Sequence, residues 1–298
     1  MAQRLIWPRD GHGWPHAGAS RLVVCAGQQW FVQQMGRGPT VLLLHGTGGS
    51  AHSWRDLLPA LAQHFEVLAV DLPGHGFSAM PAASQGLSMH GMAAALGALL
   101  TQLQLRPALL VAHSAGAAVA LRMAIDSLVQ PSAIVSFNGA LRPLQGAAGR
   151  LFLPIARLMA SAPLVPQLFA WRASDRAAVQ RLIEGTGSTL DDTGMALYAR
   201  LVASPGHVQG ALGMMARWDL PSLQHDLPAL TVPLRLVVGE RDRAVPPAQG
   251  AQVLARLRAA PRSSLTRWPG LGHLAHEEQP LRAAALVIET AREHGVLR

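Results

Sequence analysis

Short apolar runs alternate along this chain with longer segments in which apolar side chains recur every three or four positions. Thr40–Leu44 is a continuous apolar run bounded by Gly36-Arg37-Gly38-Pro39 and His45-Gly46-Thr47-Gly48-Gly49. Such a run suits a strand buried on both faces. Residues 67–70 are the next short apolar run, and 108–112, 133–137, 234–238 and 264–267 read as further strands. Between them lie helical segments: 50–63 with Trp54, Leu57, Leu58 and Leu61 in register, 88–103 with Ser88 placed as its cap, 115–128, 247–257 and 278–294. A Ser hydroxyl at that position accepts a bond from an orphan N–H of the first turn. Two further strands, 21–24 and 29–35, flank Ala26-Gly27 and predict a hairpin. Strands alternating with helices predict a mostly parallel sheet covered on both faces, with the hairpin as an antiparallel edge.

The pattern changes after Gly139. Up to about Pro228 the apolar residues keep helical spacing (Phe152, Ile155, Leu158, Met159; Leu164, Leu168, Phe169; Leu197, Leu201; Leu212, Met215) and Pro and Gly break them into short helices. The expected organisation is an α/β core over 1–139 and 229–298, with a helical cap over 140–228 inserted between two strands. Residues 1–19, with Trp7-Pro8 and Trp14-Pro15, predict an extended arm, because a residue before Pro avoids the helical region.

Composition narrows the class. Half of the 298 residues are apolar and 14% are charged, which excludes a disordered chain. All 25 bases are arginine and the net charge is +8. Arginine scarcely titrates, so a sequence pI near 11.4 needs no large charge excess. The arginines are dispersed rather than set in a run that would track phosphates, so no nucleic-acid partner is expected. Cys25 stands alone, which suits a fold independent of disulfides. Met1–Ala19 has no apolar leader, and the most apolar stretch, Pro107–Ile125, is broken by His113, Ser114, Gly116 and Arg122. A cytoplasmic location is expected.

Ala112-His113-Ser114-Ala115-Gly116 joins a strand to a helix. This is the small-x-Ser-x-small pattern of a sharp turn that exposes a serine hydroxyl at the end of a sheet. A serine nucleophile needs a base, and the base an orienting acid. Asp242, in Gly239-Glu240-Arg241-Asp242, and His273, in Gly270-Leu271-Gly272-His273, both follow strands and stand in the order Ser, acid, His. Glu240 is the substitute acid; the alternative position after strand 133–137 holds Asn138, which carries no charge. The expected oxyanion donors are the N–H groups of Ala115 and Thr47. A phosphate loop is excluded at His45–Gly49, since the chain has no lysine. His45, His113 and His276 are expected to support rather than to react. The scattered histidines and single Cys predict no metal site, and no cofactor is called for.

Taken in order, His45-Gly46, Asp71-Leu72-Pro73-Gly74-His75-Gly76, the serine turn, Gly239-x-x-Asp242 and Gly272-His273 through Glu278-x-Pro280 resemble the α/β-hydrolase superfamily over residues 20–295. Ser114 at the turn separates the chain from the dehalogenases and epoxide hydrolases that carry Asp there. Trp14-Pro15 with Ser20-Arg21, Leu168-Phe169-Ala170-Trp171-Arg172, Gly185-Thr186-Gly187-Ser188, Ser204-Pro205-Gly206-His207 and Gly270 through Glu278 resemble the magnesium-chelatase accessory family of bacteriochlorophyll synthesis. That resemblance implies a role near Mg²⁺ insertion into protoporphyrin IX. It also implies a hydrophobic substrate, a tetrapyrrole or its precursor, magnesium chelatase subunits as partners, and a place beside the photosynthetic membrane. It implies no particular reaction. Three functions are therefore open: a serine hydrolase of a hydrophobic ester, a non-catalytic porphyrin-binding factor, and a general carboxylesterase. Trp171, Trp218, Met214 and Met215 are expected to form an apolar lid, with Arg142, Arg150, Arg157 and Arg172 at its margin.

Overall fold

The hairpin forms as strands β1 (Ser20–Cys25) and β2 (Gln28–Gly36) in antiparallel register, Cys25 opposite Gln28. The two residues between them, Ala26 and Gly27, both have positive φ. That is the turn whose twist matches the strands it joins. The chain then lays down β3 (Thr40–Leu44), β4 (Glu66–Val70), β5 (Leu109–His113), β6 (Ala133–Phe137), β7 (Leu234–Gly239) and β8 (Ser264–Trp268). In space the order is β1-β2-β4-β3-β5-β6-β7-β8, parallel from β4 to β8. Strands β3, β5 and β6 are buried along their whole length, as their uninterrupted apolar runs require. The computed structural model describes residues 3–143, 146–162, 164–172 and 175–298; the side chains of 146–150 and 152, and with them Arg150 and Phe152, lie outside the described part.

Helices α1 (Leu57–Leu61), α2 (Met89–Gln102) and α3 (Ala115–Ile125) follow β3, β4 and β5. Ser88 caps α2, its hydroxyl accepting from Gly91 N at 3.1 Å. The single helix expected over 50–63 is instead a 3₁₀ turn, Ala51–Trp54, followed by α1. Pro59 explains the break. Its ring would strike the carbonyl four residues back, at Arg55, and its nitrogen has no proton to give it. The freed Arg55 carbonyl accepts from His16 Nε2 at 2.6 Å, so the break also ties down the N-terminal arm. Trp14 on that arm packs edge-on against Phe77 with centroids 4.9 Å apart.

Among the described residues, six α-helices lie between β6 and β7: α4 (Gly146–Ser161), α5 (Val165–Arg172), α6 (Arg176–Gly185), α7 (Asp192–Val202), α8 (Pro205–Ala216) and α9 (Leu220–Asp226). No strand occurs there among the described residues. Helices α4 and α5 pack on α8, and α6 packs on α7. The chain closes with α10 (Ala248–Leu254), α11 (Ala275–Glu278) and α12 (Pro280–Glu293). One apolar cluster fills each face of the sheet, the first around α2 and α3, the second around α1 and α12.

Candidate active site

Ser114 stands between β5 and α3 with φ 49° and ψ −120°. A non-glycine residue in that region costs on the order of 1–3 kcal/mol. The conformation is held by its surroundings: Ser114 N donates to Phe137 O at 3.1 Å, and Ser114 O accepts from Ala117 N and Ala140 N at 3.1 and 3.0 Å. The turn tolerates only small neighbours. A Cβ on Gly116 would lie 2.4 Å from His45 O and 2.5 Å from Leu44 O. Ser114 also occupies the N-cap of α3, yet its hydroxyl makes no cap bond. It faces His273 Nε2 at 3.0 Å instead.

His273 Nδ1 lies 2.8 Å from Asp242 Oδ2. The carboxylate can only accept, so Nδ1 carries the proton and Nε2 is bare toward Ser114. Asp242 is held on both oxygens: Oδ1 accepts from Ala244 N and Val245 N, each at 2.8 Å, and Oδ2 also accepts from Asn138 Nδ2 at 2.8 Å. Asn138 Nδ2 also reaches Gly272 O at 3.2 Å. Both partners are acceptors, which fixes the amide's orientation. Asn138, read from sequence only as a residue that cannot be the acid, thus steadies the acid that is present.

The structure brings Ser114, Asp242 and His273 into one hydrogen-bonded line. Ala115 opens α3, where N–H groups have no helical partner. Gly46, just before Thr47, packs on the serine: a Cβ there would meet Ser114 Cβ at 2.8 Å. Thr47 Oγ1 donates to Met214 Sδ of α8 at 3.4 Å. Glu240 is exposed and outside this line. Of the expected lid residues, Met214 is buried against Thr47, Trp218 is buried in the core cluster, Met215 is half-buried and Trp171 lies exposed on α5. Arg142 is half-buried; Arg157 and Arg172 are exposed. The two described clefts, about 400 and 750 Å³, lie at Arg4–Arg200 and beneath Leu105–Ser132, and neither is lined by the three residues. Ser114 itself is 9% exposed.

Histidines and loops of the segment between β6 and β7 brace the strand ends around Ser114. His45 Nδ1 donates to Gly46 O at 2.8 Å, and Nε2 accepts from Leu72 N at 2.9 Å. His207, from the insertion, joins two core loops: Nδ1 accepts from Gly76 N at 3.0 Å and Nε2 donates to Gly48 O at 3.1 Å. His113 Nε2 donates to His273 O at 2.9 Å. Burial, helped by neighbouring rings, holds the imidazoles of His45 and His113 well below their ordinary pKa and that of His207 at about 3. Ser188 Oγ accepts from Leu274 N at 2.8 Å. A Cβ on Gly272 would strike the Gly187 carbonyl carbon at 2.3 Å. Arg55 binds Glu277 Oε2 at 2.7 Å and Asp191 of the insertion at 3.0 Å, while Tyr198 donates to Glu277 Oε1 at 2.8 Å. Burial pushes Glu277 up to about 7 against the pull of Arg55 and Tyr198. Sequence reading missed this knot, though Tyr198 is the chain's single tyrosine.

Residues 41–286 match the model of the alpha/beta hydrolase family, and the chain belongs to that family. Among relatives, it is 38% identical to the magnesium-chelatase 30 kDa subunit of Rhodobacter capsulatus over 89% of this chain and 91% of that protein. It is 30% identical to the pimeloyl-[acyl-carrier protein] methyl ester esterase of Vibrio vulnificus over 72% and 80% of the two chains. An alpha/beta hydrolase fold protein from Burkholderia ambifaria superposes with a TM-score of 0.72 at 26% identity, covering 91% of this chain and 99% of that one.

Proposed function

We propose that the chain is a serine hydrolase that cleaves an ester-like bond of a hydrophobic substrate in bacteriochlorophyll synthesis. The observation that carries the reading is the line from Ser114 Oγ to His273 Nε2, 3.0 Å, and from His273 Nδ1 to Asp242 Oδ2, 2.8 Å, built on a strained serine. Ser114 Oγ attacks the carbonyl carbon as its proton passes to Nε2. The negative charge that gathers on the carbonyl oxygen is received by the N–H groups of Thr47 and Ala115. His273 then gives the proton to the departing alcohol, leaving an acyl-serine that water, deprotonated by the same nitrogen, hydrolyses. Asp242 keeps the imidazole in the required tautomer and offsets its transient charge. Residues 140–228 act as the cap. Its apolar composition argues for a hydrophobic substrate, and with Ser114 nearly covered, a tetrapyrrole ester reaches the hydroxyl only when the cap moves.

The pathway rests on similarity to the magnesium-chelatase 30 kDa subunit, which also supports chelatase subunits as partners. The test is fluorophosphonate labelling with turnover of soluble esters. The wild type should label on Ser114, and Ser114→Ala should lose at least about a thousandfold in kcat. An unlabelled protein whose tryptophan fluorescence is saturably quenched by protoporphyrin would overturn hydrolysis in favour of the binding reading. In cells, Ser114→Ala should accumulate the same uncleaved precursor as a deletion strain.

A further inference from the structure

Two of the three strings in the insertion touch the site's neighbourhood, one through Gly187 and Ser188 and the other through His207, but Leu168-Phe169-Ala170-Trp171-Arg172 does not. Helix α5, where it lies, and α4 before it share a pattern. On α4, Leu151, Ile155 and Leu158 follow each other at intervals of four and three, so they share one helical face; all three are exposed, Leu158 at 69%. Leu164, Leu168 and Trp171 repeat the interval at α5 and are exposed at 76%, 54% and 69%. The opposite side of the pair, with Ala156 and Pro166 buried, packs on α8. A soluble helix ordinarily turns one apolar stripe inward and a polar one outward. Here both directions are apolar.

The segment's own charges have one sign. Between Asp126 and Asp175 the sequence has no Asp and no Glu, only Arg142, Arg150, Arg157 and Arg172. Interfaces between proteins usually ring an apolar centre with polar groups, and charge complementarity there works through both signs. Leucine and tryptophan with arginine alone is the chemistry that enters the headgroup boundary of an anionic bilayer. No single helix among the described residues is long enough to span: α4 has 16 residues, a rise of about 24 Å against a hydrocarbon core of about 30 Å. The pair also bends by 93°.

We infer that the outer face of α4 and α5 docks on an anionic lipid surface, with Leu158, Leu164, Leu168 and Trp171 in the interface and Arg172 at the headgroups. Under the hydrolase reading this gives the site its substrate class a source. The docked helices lean on α8, whose Met214 holds Thr47, so an ester dissolved in the bilayer would enter beside α8. Docking itself does not need the chemistry, and the two can fail separately.

The experiment uses the full chain with phosphatidylglycerol vesicles and, in parallel, phosphatidylcholine vesicles. The protein should co-sediment with the first at low ionic strength and weaken with salt. Trp171 is the one exposed tryptophan of seven; its emission should shift to the blue, be quenched by brominated lipid, and be lost from the signal in Trp171→Phe. Leu158→Glu with Leu168→Glu should weaken partition by about tenfold or more while soluble-ester turnover stays unchanged. Arg172→Gln should cost about fivefold on phosphatidylglycerol. Ser114→Ala should bind vesicles like the wild type, whatever its turnover. Absence of sedimentation with phosphatidylglycerol, or a double glutamate variant that binds as well as the wild type, would overturn the proposal. So would a concentration-dependent dimer that Leu158→Glu dissolves, which would assign the face to a second copy.

Discussion

Helices α3 and α4 are both strongly apolar, and the fold treats them in opposite ways. Every residue of α3 from Ala115 to Met123 is buried. On α4, Leu151, Ile155 and Leu158 face outward. Side-chain size separates them. Helix α3 reads Ala-Gly-Ala-Ala-Val-Ala-Leu, so it approaches β3 until Gly116 nearly touches the Leu44 and His45 carbonyls. Close approach buries all its faces among the sheet, α2 and α9. Helix α4 carries Leu151, Ile155 and Leu158 along one face and rests on α8 alone among its stronger contacts. Apolar spacing therefore marks a segment as helical without saying what it packs against; the size of the residues says whether a sheet can take it in. The same contrast divides rigid support of Ser114 from a surface free to meet something else.

Acid should separate the two regions most strongly. His45, His52, His75, His113, His207 and His276 are all buried around the strand ends, whereas residues 146–172 contain no His, Asp or Glu. Burial lowers all six imidazoles, to about 4 in His75 and about 3 in His207 and His276. Their ordinary value is near 6.5, so the stability they contribute as neutral rings is complete above that pH. It is lost as pH falls from there toward the folded values. Asp71 and Glu277 act in the opposite sense, because burial raises each to about 7; protonating them favours the fold as pH drops below 7. Six rings outweigh two carboxylates. Each net proton taken up on unfolding tilts stability by about 1.4 kcal/mol per pH unit. Denaturant melts between pH 7 and 4 should show stability falling with pH. A flat or rising profile would mean that the rings are not neutral in the fold. Protonating His45 would turn Nε2 against the Leu72 N–H it now accepts from, and His207 would lose its bond from Gly76 N in the same way.

A smaller contrast comes from paired truncations. Leu121 on α3 is fully buried in the core cluster, and Leu121→Ala should cost about 2–5 kcal/mol. Leu158→Ala on α4 should stay within about 0.5 kcal/mol. Urea midpoints measure both; equal losses would mean that α4 is buried in solution after all.

Sequence reading went furthest where one local rule decided the outcome. The five-residue, largely apolar runs marked β3, β5 and β6 because strands buried on both faces favour apolar side chains at every position. Ser114, Asp242 and His273 were legible because each follows a strand, where this sheet places its loops. Helix 50–63 was misjudged because the apolar spacing was weighed and Pro59 was not. Asn138 and the Arg55–Glu277–Tyr198 knot were out of reach for another reason: their partners lie more than 70 residues away, and no periodicity encodes such a pairing. Solvent exposure on α4 was equally hidden, since periodicity gives a helix's face and not its neighbour.

Thr47 lies where the two regions touch, and it carries the smallest effect. Its hydroxyl donates to Met214 Sδ of α8 at 3.4 Å, a weak bond because thioether sulfur is a poor acceptor. Its N–H is the group proposed to receive the oxyanion. Thr47→Ala removes the first and keeps the second, so kcat/KM on a soluble ester should change by no more than about threefold. Loss of a true oxyanion donor costs about 2.7–4 kcal/mol in the barrier, a hundredfold or more in rate. A loss of that size in Thr47→Ala would move the donor from the amide to the hydroxyl, or make the contact with Met214 the clamp that aims the amide. Met214→Leu separates these outcomes, because it removes the sulfur and leaves the hydroxyl in place. If Thr47→Ala is damaging and Met214→Leu is not, the hydroxyl itself meets the substrate. If both are damaging, the insertion shapes the oxyanion site through α8, and core and cap are coupled at this one bond.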